Sequence, residues 1–475
     1  MNETPRKRRE DGHGPIAWIT RWKVALAVAA ALALITGIGV FTLLPRDHEH
    51  FTSDGEPEVG DVPREIDHIA WEWDTPEDHS IVTVMPGLAG PVVVMEQVVI
   101  GLDGTTGGEL WGYLSDLDGS DVSASVTPDG RSAVIAEVRE GENRVSLLDS
   151  GTGEIQERYE YPLDSEPPSL LNLSDHDWIE ARDGGIVARD LHSGDIAWEY
   201  LPERGCEIQA LRGSNTFGDT ADYSVATSGE HYVMAELCEE HREEGEPDAP
   251  RSPGNLVVLD AWSGEVPWTV EDDLLLERET RSEIDVPYSA GINVSRDESA
   301  LLAETTSGST LFVPATGEVL HDDLRSLQRD EGPGRIIDFD DENVVVSERT
   351  PGSTNLPEFT NTRTGDGEIL RRTSTEDPLS GDPFEYHRIR PAGSASYSLP
   401  LDGGVVTPGC VDECAERNID ETVLFLPWEG KTPPRAIESE KVEAIVQSGR
   451  GIFVETPGSV VLYRPGSEGH LIGLA

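Results

Sequence analysis

The sequence predicts an all-β fold, a β-propeller of about eight blades with seven as the alternative, behind an N-terminal transmembrane helix. Three observations support the propeller: a short phrase that recurs along the chain, strand-like runs in groups of four, and an isolated first strand that copies the outer strand of a later repeat. Little of the chain shows helical periodicity, with residues 272–284 as the one charged run of some helical character.

The recurring phrase joins an Asp, a Gly four residues later and a Trp eight residues after the Asp. The complete copies are Asp103, Gly107 and Trp111; Asp190, Gly194 and Trp198; and Asp260, Gly264 and Trp268. Glycine allows the left-handed backbone of a tight hairpin turn. Since a lone hairpin cannot bury both faces, copies must stack on one another. The sequence therefore predicts that tryptophans dock neighbouring blades, namely Trp71, Trp111, Trp198 and Trp268.

One copy of the phrase is incomplete. Asp149 and Gly153 keep the first two positions, but Glu157 stands where the Trp is expected. Turn glycines recur from Gly107 to Gly365 at intervals of 41 to 70 residues, which is enough for one four-stranded blade each.

The two ends of the domain are predicted to share a blade. The strand Ile69–Trp73 nearly copies Ile196–Tyr200 but has no strands before it, and the C-terminus supplies three predicted strands: Val442–Gln447, Gly451–Glu455 and Val460–Arg464. The first strand would then complete the last blade, which removes exposed sheet edges. Eight blades result, or seven if residues 366–437 form only part of a blade.

The N-terminal region is divided by its charge. Residues 1–23 form a basic tail, 24–45 a transmembrane signal-anchor, 46–65 an acidic tether and 66–475 the propeller. The run Val24–Leu44 carries no charge, and the basic residues precede it, so the N-terminus is expected in the cytoplasm and the C-terminal domain outside the cell membrane. A cleavable signal peptide is the alternative.

Charge limits the choice of partners. The chain has 91 acidic against 36 basic residues, a formal net charge of -55. Such a chain is not expected to bind nucleic acid through phosphates, which requires clustered positive charge. Its field favours cationic partners, such as a cationic protein or an envelope polymer.

The phrase Leu-Asp-x-x-(Ser/Thr)-Gly-Glu-x-x-Trp, read from Leu259 to Trp268, resembles the repeat of pyrroloquinoline-quinone (PQQ)-like propellers. That superfamily includes quinoprotein alcohol dehydrogenases and the lipoprotein propeller of the outer-membrane assembly machine. The resemblance implies a fold of typically eight blades over about residues 66–465, displayed here on an actinobacterial type of membrane. Its dehydrogenases use an adjacent Cys-Cys pair over the quinone, and this chain has no adjacent cysteines. Neither PQQ nor calcium is expected.

The cysteines suggest structural disulfides in an oxidising compartment. Four cysteines allow three pairings, of which Cys206–Cys238 and Cys410–Cys414 are preferred. Asp116, Asp118 and Asp121 weakly resemble a calcium loop, but the full pattern is missing and a solvated turn is the expected structure. No metal site is predicted.

The predicted function is a non-catalytic extracytoplasmic binding or scaffold propeller. The sequence has no Gly-x-Ser-x-Gly nucleophile elbow, no His-Glu-x-x-His and no phosphate-binding loop, so no catalytic residue is assigned. Two alternatives stay open: a PQQ-dependent or other enzyme with a site in the central channel, and an envelope sensor.

Overall fold

A computed structural model describes most of the chain from residue 50 onwards. The described residues are 50–53, 55, 57–76, 79–115, 121–139, 142–161, 173–182, 184–212, 225–238, 251–278, 288–306, 308–322, 324, 335–348, 358–364, 368–373, 379–380, 398–411, 422–428, 434–446, 451–466 and 469–475. They form an all-β domain within residues 49–475.

Its strands fall into consecutive antiparallel groups, numbered here as sheets 1 to 8. Sheet 1 contains β3 (Ile81–Pro86), β4 (Pro91–Met95), β5 (Val98–Leu102) and β6 (Glu109–Leu114), with β1 (His50–Phe51) added at its edge. Sheet 2 contains β7 (Asp121–Val126), β8 (Ser132–Arg139), β9 (Glu142–Asp149) and β10 (Ile155–Glu160). Sheet 3 contains β11 (Asp177–Arg182), β12 (Gly185–Asp190) and β13 (Ile196–Tyr200).

The second half of the domain continues the series. Sheet 4 contains β14 (Cys206–Arg212), β15 (Val225–Ser228), β16 (His231–Cys238), β17 (Arg251–Asp260) and β18 (Trp268–Arg278). Sheet 5 contains β19 (Tyr288–Val294), β20 (Leu301–Glu304), β21 (Ser309–Phe312) and β22 (Val319–His321). Sheet 6 contains β23 (Arg335–Phe339), β24 (Asn343–Glu348), β25 (Glu358–Arg363) and β26 (Ile369–Arg372). Sheet 7 contains β27 (Leu379–Ser380), β28 (Leu399–Leu401), β29 (Gly404–Val411), β30 (Thr422–Pro427) and β31 (Arg435–Ile437). Sheet 8 contains β2 (Ile69–Asp74), β32 (Ile452–Thr456), β33 (Ser459–Tyr463) and β34 (His470–Leu474).

Within each sheet the strands pair mainly in sequence order. Sheets 4 and 5 are also hydrogen-bonded to each other, through β18 with β19 and a short parallel pairing of β14 with β19. They therefore form one nine-stranded sheet in which β18 turns from the edge of sheet 4 to meet sheet 5.

Each sheet is buried on both faces between its neighbours. In β33, Val460 and Leu462 pack toward sheet 7, whereas Val461 and Tyr463 pack toward sheet 1. Strand side chains alternate between faces, so a strand buried on both sides must be apolar at every position. Eight hydrophobic clusters join sheet 1 to 2, 2 to 3 and onward to 8, and then sheet 8 back to sheet 1. This closed series of face-packed antiparallel sheets is the architecture of a β-propeller.

The chain ends share sheet 8. Strand β2 pairs with β34, in a register that places Trp71 opposite Gly473 and Trp73 opposite Leu471. The predicted sharing of the last sheet by the two ends of the domain is confirmed, with the strands in the order β2-β34-β33-β32. The N-terminal strand thus completes the C-terminal sheet. That sheet has the expected three C-terminal strands, but β34 is one of them in place of the predicted Val442–Gln447.

The predicted strand Val442–Gln447 is wrong, because the structure has a short helix there, α1 (Glu440–Val446). Val442, Ile445 and Val446 are its buried residues, which is a helical rather than a strand spacing. The Ser439 hydroxyl accepts a hydrogen bond from the Val442 N–H at 3.1 Å and caps the helix.

The helical character expected of residues 272–284 is also not observed where the structure describes them. Strand β18 continues to Arg278, and Leu274 and Leu276 enter the core between sheets 4 and 5 at strand spacing. No helix within the described ranges is long and apolar enough to span a membrane, and residues 24–45 lie outside those ranges.

Each repeat tryptophan lies on the turn glycine of the next sheet. A Cβ on the glycine would lie 2.4 to 2.7 Å from the indole side chain, in the pairs Trp71 on Gly107, Trp111 on Gly153, Trp198 on Gly264 and Trp268 on Gly317. The indole Nε1–H also donates to a carbonyl of that same turn: Trp71 to Gly104 at 2.7 Å, Trp111 to Ser150 at 2.7 Å, Trp198 to Ala261 at 2.8 Å and Trp268 to Pro314 at 2.7 Å. The indole thus buries its apolar ring against the turn and also satisfies a backbone carbonyl of that turn through its N–H.

The incomplete repeat is completed by a tyrosine. Tyr159 lies on Gly194, and its hydroxyl donates to the Leu191 carbonyl at 2.9 Å. Glu157 precedes it by two residues on the same strand, so both side chains share a face. The docking ring of this repeat thus comes two residues after the position where the spacing predicts it.

The segment before β2, residues 52–68, lies across the turns at one end of the sheets, and we call it the strap. The N–H of Ser53 donates to Thr152 of sheet 2, Asp61 accepts from Gly458 of sheet 8, and Arg64 accepts from Gly403 of sheet 7. Ile66 is fully buried between sheets 7 and 8. Together with the pairing of β1 on β6, these contacts attach the acidic tether to four sheets.

Replacing Gly107 by Ala separates the two roles of the turn glycine. Gly107 has φ +70° and Trp71 beside it, whereas Gly466 has φ +68° and open space around its Cα. We expect Gly466→Ala to lower the unfolding free energy by about 1–2 kcal/mol, the left-handed penalty alone. Gly107→Ala should cost at least about 2 kcal/mol more, because Trp71 must also move. Urea unfolding of both variants measures this difference, and equal losses would show that the indole contact contributes little.

Candidate functional site

Only some of the predicted cysteine and metal residues lie in the described part of the chain. Cys206 and Cys238 are joined in a disulfide between β14 and β16, with their Cα atoms 3.9 Å apart. Both sulfurs lie near Glu236, but bonded sulfurs are not thiolate ligands for a metal. Cys410 is the second-last residue of β29, where the structure describes only its backbone. Cys414 lies outside the described residues.

The weak calcium candidates are not brought together by the described part of the chain. Asp116 and Asp118 lie outside it, and only the backbone of Asp121, the first residue of β7, is described. The four predicted docking tryptophans lie between sheets, as given above, and serve packing.

A cluster of carboxylates forms at the end of the sheets where the strap also lies. It comes from the turn that precedes β11 in sheet 3 and from the β7–β8, β15–β16 and β19–β20 turns of sheets 2, 4 and 5. We call it the acidic arc: Asp129, Asp175, Glu230 and Glu298. First hairpin turns of successive sheets meet at one end of a ring, so residues far apart in sequence become neighbours.

Backbone groups hold the acidic arc together. The Asp129 N–H donates to Asp175 Oδ1 at 2.8 Å, and the Asp175 N–H donates to the Gly229 carbonyl at 3.4 Å. Asp175 Oδ2 and Glu298 Oε2 both lie within 3.0 Å of where a Gly229 Cβ would be. A side chain at position 229 would therefore displace both carboxylates from where they lie.

Burial and the neighbouring carboxylates raise the proton affinity of Glu298 and Asp175 in the acidic arc. Burial raises the pKa of Glu298 to about 7, and repulsion from Asp175, Asp129 and Glu230 adds to it against one hydrogen bond from the Gly229 backbone. Burial likewise raises the pKa of Asp175, with repulsion from Asp129 and Glu230. The acidic arc is therefore a concentrated negative field that an added cation or proton would relieve.

Trp262 stands beside the acidic arc and is 73% exposed. Its neighbour Ala261 donates its N–H to the Glu230 carbonyl at 2.9 Å, and the His176 ring meets the indole edge to face at 4.7 Å. Sequence reasoning missed Trp262 as a site residue. The available signal was its position two residues after the turn Asp, where other repeats carry the small or polar Thr105, Gly151 and His192.

Access to this end of the sheets is uneven. The strap is hydrogen-bonded to turns of sheets 2, 8 and 7, and its Gly60 lies beside Thr105 in a turn of sheet 1. Trp262 and most of the acidic arc belong to turns of sheets 3, 4 and 5. The exposed aromatic ring and the carboxylates are thus presented on the half of this end that the strap's described contacts do not reach.

At the axis of the ring, Arg296 joins four sheets. It follows β19 of sheet 5, forms ion pairs with Asp338 of sheet 6 and Glu455 of sheet 8, and donates to the Pro400 carbonyl of sheet 7 at 3.5 Å. These partners lie on β23, β28 and β32, and β28 contacts both of the other two strands around the axis. Burial raises the pKa of Asp338, and Arg296 opposes that shift.

This arrangement does not fit the quinone implied by the family resemblance. The chain has no adjacent cysteines to lie over a quinone ring, and at this end of the axis the cationic Arg296 is committed to Asp338 and Glu455. The residues present suit ion pairing between sheets, and no quinone step is derived from them.

Comparison with known proteins gives only remote likenesses. The chain matches no protein-family model and no curated protein sequence. It is similar to the solved structure of BamB from Moraxella catarrhalis, with 15% identity, a TM-score of 0.43, and coverage of 85% of this chain and 98% of that one. The dihydro-heme d1 dehydrogenase NirN in complex with DHE shows 14% identity and a TM-score of 0.37 over 89% and 78% of the two chains. An oligogalacturonate lyase in complex with manganese shows 11% identity and a TM-score of 0.34 over 86% and 98%. Since every TM-score is below 0.5, the fold is taken from the sheet order itself, and no activity follows from these likenesses.

Removing Arg296 should weaken the ring. In Arg296→Met the carboxylates of Asp338 and Glu455 lose their partner, and we expect a loss of about 2–3 kcal/mol of unfolding free energy because both are partly shielded from water. The control is Arg363→Met, whose ion pair with Glu368 is about half exposed, and it should cost less than about 1 kcal/mol. Similar small losses in both variants, measured by urea unfolding, would contradict an axial role.

The acidic arc should make stability depend on pH. Glu298 has its pKa raised from 4.5 to about 7 in the folded protein, so its contribution is fully present below pH 4.5 and is lost as the pH rises through 7. Glu298→Gln keeps the neutral form at every pH. After discounting for solvent screening, we expect it to be about 1–2 kcal/mol more stable than the parent at pH 8 and nearly equal at pH 4.5.

Thermal unfolding across this pH range measures the effect. Glu265→Gln, at an exposed position after the Trp262 turn, is the control and should show no such pH-dependent gain. Parallel stability curves for Glu298→Gln and the parent would contradict the shift.

Proposed function

We propose that this chain is a single-pass membrane protein that displays an eight-bladed, PQQ-like β-propeller outside the membrane of an actinobacterial type of cell. Its proposed role is non-catalytic binding or scaffolding. The basic tail 1–23 and the uncharged run Val24–Leu44 support the anchor and its orientation. The eight inter-sheet clusters support eight blades.

The partner proposed is a cationic protein or envelope polymer bound at the acidic arc. The observation that carries this proposal is the set of carboxylates gathered around Gly229, where burial, with repulsion from the neighbouring carboxylates, raises the pKa of Glu298 to about 7. A cation brought to this position would relieve that repulsion, so binding there is favoured over other parts of an acidic surface.

Of the alternatives, an enzyme with a central-channel site gains no support from Arg296, whose described contacts are structural ion pairs. The sensor alternative depends on the tail 1–23, which lies outside the described residues. The binding role is therefore the one with a specific observation in its favour.

The test is peptide binding to the full chain in lipid nanodiscs. A fluorescent deca-lysine peptide is titrated into the parent, into the variant Asp175→Asn/Glu230→Gln/Glu298→Gln, and into a control, Glu96→Gln/Glu160→Gln/Glu203→Gln. The control removes the same number of charges from exposed residues at the opposite end of the sheets.

We expect the acidic-arc variant to lose about tenfold in affinity and the control to lose much less, with binding in the parent falling as salt is added. Equal affinity losses in the two variants would show that the peptide responds to net charge alone and would reject the acidic arc as the site.

A further inference from the structure

We infer that Trp262 is the anchor of this site and that it receives an arginine side chain from an extended segment of the partner protein. This inference deepens the proposed function and rests on it for the cationic character of the partner. Its own evidence is the aromatic ring and the way the protein holds it.

Trp262 is exposed on a rigid turn. Ala261, immediately before it, is fully buried, and the Asp260 carboxylate accepts from the Ser263 N–H at 2.8 Å while the Gly264 N–H donates to the Asp260 carbonyl at 2.8 Å. The repeat tryptophans Trp71 and Trp198 are at most 8% exposed. A large aromatic side chain held exposed on so constrained a turn is available for contact with a partner.

The indole is also oriented. His176 meets it at an interplanar angle of 88°. The backbone of His176 is held, because its N–H donates to Ser174 Oγ at 3.1 Å and its carbonyl accepts from the Leu191 N–H at 2.9 Å. An indole already in contact with a neighbouring ring has less conformational entropy to lose when a ligand stacks on it.

The charges around the ring select the ligand. Glu230 is exposed and hydrogen-bonded through its carbonyl to Ala261, and Asp175 precedes His176. An apolar or anionic group would have to lie beside these carboxylates, which is unfavourable. A guanidinium group can stack on the indole while its N–H groups reach a carboxylate, and it is less strongly hydrated than an ammonium group.

At the end of the sheets where the strap lies, the half that its described contacts do not reach can accommodate an extended segment. The strap has no helix or strand among its described residues. It crosses turns of sheets 2, 8 and 7 and passes Thr105 in a turn of sheet 1, and the turns of sheets 3 to 5 continue the same surface. A partner segment with arginine would occupy the part that the chain's own strap does not contact in the described structure.

The test uses the full chain labelled with fluorotryptophan, with the Trp262 resonance assigned through Trp262→Phe. Its probes are the peptide Gly-Ser-Arg-Gly-Ser and the same peptide with citrulline, the neutral counterpart of arginine. We expect the arginine peptide to shift the Trp262 fluorine signal saturably and the citrulline peptide to leave it unchanged.

Four variants complete the test with a fluorescently labelled arginine peptide. Its binding is measured by fluorescence anisotropy, because the two Trp262 variants lack the Trp262 fluorine signal. Glu230→Gln should weaken binding about three- to tenfold, Trp262→Tyr should retain most of it, and the control Leu201→Ala, at a residue 68% exposed, should not change it. Equal shifts with both peptides, or binding unchanged in Trp262→Ala, would overturn the inference.

The two proposals fail separately. If deca-lysine binding depends on the acidic arc but is the same in Trp262→Ala, and the arginine peptide leaves the fluorine signal unmoved, the binding function stands and the Trp262 anchor is wrong. If the arginine peptide binds at Trp262 while neutralising the acidic arc leaves deca-lysine affinity no lower than in the control, the proposed function is wrong.

Discussion

The whole ring depends on one contact, an indole lying on the turn glycine of the next sheet with its N–H bonded to that turn. A hairpin sheet with two apolar faces has no stable form alone, because neither face can be left in water. Trp71 on Gly107 and Trp198 on Gly264 bury apolar surface between neighbouring sheets. Their hydrogen bonds to the carbonyls of Gly104 and Ala261 set the register between those sheets. Tyr159 shows that the requirement is a flat ring with a donor at its end.

Closure of the ring places the polar residues. Because β2 completes sheet 8, the chain returns to its beginning, and the strap can cross the turns of four sheets on its way there. The same closure brings Arg296 within reach of Asp338 and Glu455, which are separated from it by 42 and 159 positions. Ion pairs at the axis and the strap at one end thus follow from one topological fact.

Unlike the docking contacts and the ion pairs of Arg296, the ionised acidic arc lowers the stability of the fold. Packing of the turns of sheets 2 to 5 forces Asp175 and Glu298 against Gly229, and the raised pKa of Glu298 shows that the fold opposes full ionisation there. A destabilised charge cluster beside an exposed Trp262 is the kind of local conflict that marks functional surfaces. The proposals for a cationic partner and for an arginine contact both begin from it.

The sequence by itself determined the repeat, the turn glycines, four docking tryptophans and the sharing of the last sheet by the two ends, because each depends on local spacing or on copies of one strand. Tertiary structure alone decided that Tyr159 replaces Glu157, that Glu440–Val446 is helical, and that β34 lies beside β2. It also decided the acidic arc, Arg296 and Trp262. These sites unite turns from different sheets, and in a chain with 91 acidic residues no spacing along the sequence distinguishes the few that ring geometry brings together.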